Sequence, residues 1–153
     1  MIDTSFIKCG LTGLIMNKLE GMQEAFNESK QVFLTTTNKE GETRRRPMTN
    51  YNESPYEPMW FPSFKETQKI RDIEANPEVE ISFHAEETRK WYKIKGKARL
   101  APFEEVQKIW KWWFLEWVPE EERSKHELRY DNPFTDRSII WVDPMEATIS
   151  DTK

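Results

Sequence analysis

Three short stretches of this sequence carry residue types that suit chemistry on an anionic, flat ligand. The first is Arg44-Arg45-Arg46-Pro47-Met48. In an extended chain successive side chains alternate sides, so Arg44 and Arg46 share a face. Two guanidiniums on one face can clamp a phosphate or hydrogen-bond a flat heterocycle. The same pattern also serves as a solvated strand edge that discourages aggregation. The second stretch holds Ser63, Lys65, Thr67, Gln68 and Lys69, where a strand should end and a helix begin. Hydroxyls, an ammonium and the free backbone N–H groups of a helix start suit a phosphate. An ordinary capped helix with surface lysines has the same composition, and the pattern is far less specific than a Gly-rich phosphate loop. The third is aromatic. Trp91 projects from the polar face of its strand, which marks an interface or a flat ligand. Trp110, Trp113 and Trp117 recur at helical spacing and read as core, while Trp112 lies off that stripe and suits a partner subunit.

Other chemistries find no foothold. His84 and His126 are far apart and lack metal-ligand company, and His84 reads as a solvated strand end. Cys9 is the only cysteine, so neither an internal disulfide nor a cysteine-based zinc site can form. No Ser/His/Asp signature, HExxH helix or nucleophile elbow is present, and the carboxylates are too scattered to choose a catalytic pair. The net charge of -4 counts against a free-standing nucleic-acid binder. No stretch reaches the roughly 18 apolar residues of a membrane span, and no basic segment leads into an apolar run as in a signal peptide. The expectation is a cytoplasmic protein of one domain over residues 1–153. Seven Trp and nine Phe supply enough rigid apolar area for a proper core.

The elements that must position these residues follow from periodicity. Phe6 to Phe26 has apolar residues at three- and four-residue steps, which predicts a helix from near Thr12, although Gly13 and Gly21 each cost about 1 kcal/mol there. Gln31 to Thr37 and Glu42 to Tyr51 predict a β-hairpin around a turn at Asn38-Lys39-Glu40-Gly41, with Gly41 at positive φ. Met59 to Phe61 reads as a short strand. Lys65 to Ala75 reads as a short helix with Thr67 as N-cap and Asn76-Pro77 as its stop. Glu78 to His84 alternates as a half-exposed strand. Lys90 to Leu100 alternates most clearly of all, with Tyr92, Ile94, Gly96, Ala98 and Leu100 inward. Gly96 and Ala98 leave room on that inner face. Pro102 opens a helix that runs to about Trp117. The charged stretch Glu120 to Tyr130 is a second short helix or a solvated loop. Ser138 to Val142 is a strand, then Asp143-Pro144 intervenes before an edge strand at Ala147 to Ser150. Several short antiparallel strands with turn punctuation predict a small closed or nearly closed barrel.

Taken in order, these segments resemble the FMN-binding split-barrel family typified by pyridoxamine 5'-phosphate oxidase, and especially its general-stress-protein branch. The resemblance rests on Val32 to Thr37 with the turn to Gly41, Arg46-Pro47-Met48, Trp60-Phe61-Pro62-Ser63, Thr67-Gln68-Lys69, Asn76-Pro77-Glu78-Val79 and Gly96-Lys97-Ala98. It extends to Trp110 and Trp117-Val118-Pro119, where Val stands for the branch's Phe. It covers residues 12 to 119 best. What it implies is a mainly β fold with flanking α: a six-stranded antiparallel split β-barrel with short helices, a homodimer, and FMN in the grooves between subunits. By the same resemblance Arg46, Pro47 and Met48 would line the flavin ring. Ser63, Thr67 and Lys69 would hold the phosphate, with Gln68 where some relatives carry a second basic residue, and Trp91 would sit at the ring side. The implied partners are a small-molecule substrate or electron donor, with no nucleic acid and no membrane. A deazaflavin, a non-catalytic flavin carrier or sensor, and a cofactor-free interaction domain remain alternatives. Ala147-Thr148-Ile149-Ser150 lacks the branch's tryptophan, and the C-terminal Arg and His pair of true pyridoxamine phosphate oxidases is not evident, so vitamin B6 oxidation itself is not expected.

Overall fold

The computed structural model describes residues 6–9, 14–116, 119–122 and 137–153. Its centre is one sheet of six antiparallel strands curled into a half-barrel, with three short helices. Strands β1 (Phe6–Cys9) and β2 (Leu14–Asn17) form a separate two-stranded ladder. Helix α1 (Met22–Glu28) follows, then the hairpin β3 (Gln31–Thr37) and β4 (Thr43–Thr49). Next come β5 (Met59–Phe64), α2 (Gln68–Ala75), β6 (Glu78–Ala85) and β7 (Lys90–Leu100). Helix α3 (Phe103–Glu116) and β8 (Arg137–Ser150) complete the chain. The order across the large sheet is β4-β3-β6-β7-β8-β5.

The hairpin, α2, β6, β7 and the opening of α3 lie where periodicity puts them. Gly41 takes φ 86° in the hairpin turn, and Asn38 Oδ1 accepts from the N–H groups of Glu40 and Glu42 to close it. The N-terminal segment differs from expectation: residues 6–9 and 14–17 are strands, and only Met22–Glu28 is helical. Short apolar runs do not distinguish helix from strand by spacing alone, and the glycines weigh against a helix until Gly21, at φ 79°, stands before α1. The C-terminal segment also differs. Asp143-Pro144 does not separate two strands; β8 runs unbroken through it. The ladder with β7 shifts register between Lys95 and Gly96, so the extra residue is absorbed as a bulge. The side chains of Trp110, Trp112 and Trp113, all of Trp117, and the charged stretch 123–130 lie outside the described residues; 120–122 form a single tight turn.

The curl encloses the core. Phe26 of α1 meets Phe83 of β6 edge-to-face at 5.3 Å, and Phe83 stacks on Tyr92 of β7 at 5.5 Å. Val32, Leu34, Phe61, Ile81, Ile94 and Ile140 are fully buried beside them. A smaller cluster under α3 joins Val106 to Ile139 on the outer side of β8. Two asparagine amides cover open strand edges. Asn17 bonds both the N–H and the C=O of Ala147, at 2.8 and 2.9 Å, beyond the point where β5 stops pairing with β8. Asn52 does the same to Trp60, at 2.8 and 3.0 Å, on the free edge of β5.

At Gly96 the backbone of β7 comes close to that of β8. A Cβ there would lie 2.7 Å from the Asp143 carbonyl oxygen and 2.9 Å from Val142 Cγ1. Gly96→Val should therefore destabilise the fold by about 1–3 kcal/mol, through forced backbone movement at the bulge. Urea unfolding would show this as a lower midpoint with an unchanged slope; an unshifted midpoint would mean that β8 yields freely.

Candidate functional site

Strands β4 and β5 stand at the two ends of the sheet order, and no ladder joins them. The curl brings them to opposite sides of one cleft of about 280 Å³. Pro47, Met48 and Thr49 of β4 line one side, Pro62, Ser63 and Phe64 of β5 the other, with Tyr51 and Lys69 completing it. The cleft is thus the split in the barrel. Its walls are short, flat or apolar because an edge strand tolerates proline where no ladder bond is needed.

Its polar end comes from the strand-to-helix turn. Lys69 is half-buried, and burial followed by the nearby Arg46 guanidinium pushes its pKa below the usual lysine value. Ser63 is buried, and its hydroxyl lies 3.4 Å from that of Thr67. Thr67 occupies the N-cap position, as its place in the sequence predicts, but its hydroxyl donates to the Phe64 carbonyl at 3.0 Å and makes no cap bond. No side chain therefore caps the first N–H groups of α2.

Arg44 and Arg46 do share a face, and the anion they approach is Asp72 of the chain's own α2. Their nitrogens lie 3.9 and 3.8 Å from its Oδ2. Asp72 is 1% exposed. It accepts from Thr36 Oγ1 at 2.8 Å and from Gln68 Nε2 at 2.8 Å. Burial alone would raise its pKa; the two hydrogen bonds and the two arginines outweigh that and hold it below the usual carboxylate range. Arg46 also donates to Thr36 Oγ1 at 3.1 Å. Burial lowers its own pKa, with Asp72 opposing and Arg44 adding to the fall. Gln68 spends its amide on Asp72 and Arg71 and does not line the cleft.

The structure thus brings Pro47, Met48, Ser63 and Lys69 into one cleft, with Thr67 against Ser63 and Arg46 beside Lys69. Trp91 belongs elsewhere in the chain. It lies on the outer face of the sheet, 5.9 Å from the Phe33 ring and 5.0 Å from His84. The Arg45 guanidinium covers both Phe33 and Trp91, at 4.6 and 4.9 Å. Its Nε and Nη2, like Ser82 Oγ, are buried with no hydrogen-bond partner among the described residues. His84 is half-buried and its ring lies against Trp91. Sequence patterns did not single out Asp72, Tyr51, Pro62 or Phe64. An aspartate within Arg71-Asp72-Ile73-Glu74 looks like any solvated helix face, and only the fold turns it inward.

Comparison with known proteins agrees with this architecture. The family described as pyridoxamine 5'-phosphate oxidase like matches residues 17–127. The chain belongs to that family. Among solved structures, an F420 reductase is similar at 22% identity and TM-score 0.59, covering 88% of this chain and 100% of its own. General stress protein 26 from Bacillus anthracis is similar at 15% identity and TM-score 0.60, covering 88% and 94%. A pyridoxamine 5'-phosphate oxidase-related, FMN-binding protein from Nostoc punctiforme is similar at 14% identity and TM-score 0.62, covering 82% and 78%. At these identities the likeness is one of fold. No curated protein matches the sequence. Among the described residues no helix is long and apolar enough to cross a membrane.

In this member of the family, Asp72 ties α2 to β3 and β4, so its loss should be felt beyond one contact. Asp72→Ala would leave the Thr36 hydroxyl, the Gln68 amide and two guanidiniums without their acceptor, at a cost of about 2–4 kcal/mol. Because the folded-state pKa is depressed, the carboxylate's stabilisation is present above about pH 4 and is lost as the pH falls through the lowered value. Asp72→Asn removes that titration. Acid unfolding followed by circular dichroism should show a flatter acid limb for the variant than for the parent; parallel limbs would contradict the assignment.

Proposed function

We propose that this protein binds FMN in the split between β4 and β5 and acts as a flavin-dependent oxidoreductase, with a second copy of the chain closing the site. The observation that carries this reading is the meeting of Lys69, Ser63 and Thr67 with the flat walls of Pro47, Met48 and Pro62 in one cleft. A phosphate calls for a cation and hydrogen-bond donors at a helix start; Lys69 and the uncapped N–H groups of α2 supply them, and the Ser63 and Thr67 hydroxyls, which donate to the Phe64 carbonyl, would turn to the ligand. Lys69, whose pKa is lowered by burial and then by the nearby Arg46, gains from an anion beside it. A flat ring calls for apolar, unbranched walls, which the two prolines and the methionine provide.

The cleft of about 280 Å³ falls just below the roughly 300–1,000 Å³ of ligand pockets. A homodimer supplies the missing wall, with Trp91 of the outer face as its aromatic contribution. When bound, FMN supplies the hydride and electron chemistry. The chain's residues then have simple tasks. Lys69, Ser63 and Thr67 hold the phosphate. Arg46, kept in place by Asp72, sets positive potential beside the ring. Pro47 and Met48 exclude water from its face. A deazaflavin makes the same demands, and the F420 reductase fold is the observation that keeps it in view.

The purified protein should take up FMN with quenching of flavin fluorescence. Lys69→Ala should weaken binding about 10- to 100-fold, the scale of one lost charge-assisted contact, while Lys39→Ala in the hairpin turn should leave it unchanged. Because the pKa of Lys69 is lowered, its ammonium is lost as the pH rises into the alkaline range. FMN affinity should fall there, and Lys69→Arg should abolish the fall. A folded protein that takes up neither FMN nor a deazaflavin would end this reading.

A further inference from the structure

A second cavity, of about 520 Å³, opens on the other side of Tyr51, between α3 and the loop 51–58. We infer that it binds a flat organic cation. Its floor is a pair of indoles, Trp60 and Trp141, directly opposite each other on β5 and β8. Tyr51 stacks on Trp60 at 5.3 Å, with the planes 12° apart, and so forms a flat aromatic wall. The face of an aromatic ring carries negative potential and attracts cations, tryptophan most strongly. Trp141 already receives one: the Arg99 guanidinium lies 5.4 Å from its ring, held there by Asp143.

The rim has the complementary sign. Glu53, Glu57 and Glu105 line it, against Lys108 as the one cation among the described lining residues. Lys108 lies 3.8 Å from Glu105. Among the described residues no cation pairs with Glu53 or Glu57, and both are exposed where a guest would enter. A broad aromatic lining of Tyr51, Trp60 and Trp141 suits a flat shape, and ring faces together with carboxylates select a positive charge. A neutral ring would satisfy the first demand only, and an anion would meet three carboxylates. The volume lies within the range of small-molecule sites. The polar end of the neighbouring cleft has the opposite sign, with Tyr51 lining both. The cavity requires no flavin in that cleft in order to bind its guest.

The test pairs two probes of one shape. 1-Methylnicotinamide is a permanent cation and nicotinamide its neutral counterpart. Calorimetric titration of the protein without added flavin should give an affinity for the cation about tenfold higher or more. The double variant Glu53→Gln/Glu57→Gln, which alters only exposed side chains, should bring the two probes to within about twofold of each other. Trp141→Leu should weaken the cation further, and circular dichroism would report whether that variant is folded. Equal affinity for the two probes, no binding of either, or unchanged discrimination in the glutamine variant would each overturn the inference.

Discussion

A carboxylate that is 1% exposed cannot stay ionised on its own, and Asp72 is the point on which the split side of this barrel is organised. It is held by a hydroxyl from β3, an amide from its own helix and two arginines from β4. These partners come from three elements, so satisfying the charge also fixes where α2 begins against the hairpin. Two consequences follow for the cleft. The pair of arginines that could have clamped a ligand's phosphate is drawn to an internal anion, which leaves Lys69 as the cation lining the cleft. Arg46, bonded to Thr36, is then close enough to Lys69 to lower its pKa.

A curled sheet that stops short of closure has two edges to manage, and this chain manages them differently along their length. Where β5 no longer covers β8, the amide of Asn17 completes the pairing of Ala147. On the outer edge of β5, the amide of Asn52 does the same for Trp60 and so links the exit of β4 to the far end of the sheet. A primary amide carries a donor and an acceptor at nearly the spacing of a peptide group, so it can cap an edge without adding a strand. Between these ties the edges remain apart, and the cleft is the space left over.

The outer face of the sheet is polar, and it is covered in part. Across five strands, neighbouring residues run Arg45, Thr35, Glu80, Lys95 and Glu146, an alternation of charge set by register. Beside it Arg45 is laid over Phe33 and Trp91, and the Lys153 ammonium also lies 5.2 Å from the Phe33 ring. Cations on aromatic faces keep this side of the barrel from being a simple solvated surface.

Local chemistry determined much of this protein in advance. The alternation of Lys90 to Leu100, the hairpin turn at Asn38 to Gly41 and the Asn76-Pro77 stop each state a backbone preference that no tertiary contact had to overrule. The sharing of a face by Arg44 and Arg46 follows from the same two-residue period. Tertiary structure decided what short-range rules leave open. Residues 14–17 became a strand because pairing was on offer, although their spacing also suits a helix. β8 crossed Asp143-Pro144 intact because Gly96 on its neighbour leaves space for a bulge. Asp72 and Tyr51 acquired their roles only from the strands and helix that surround them. Sequence spacing records what one residue's neighbours along the chain allow, whereas a site on a curled sheet is made by the two strands farthest apart in that sheet.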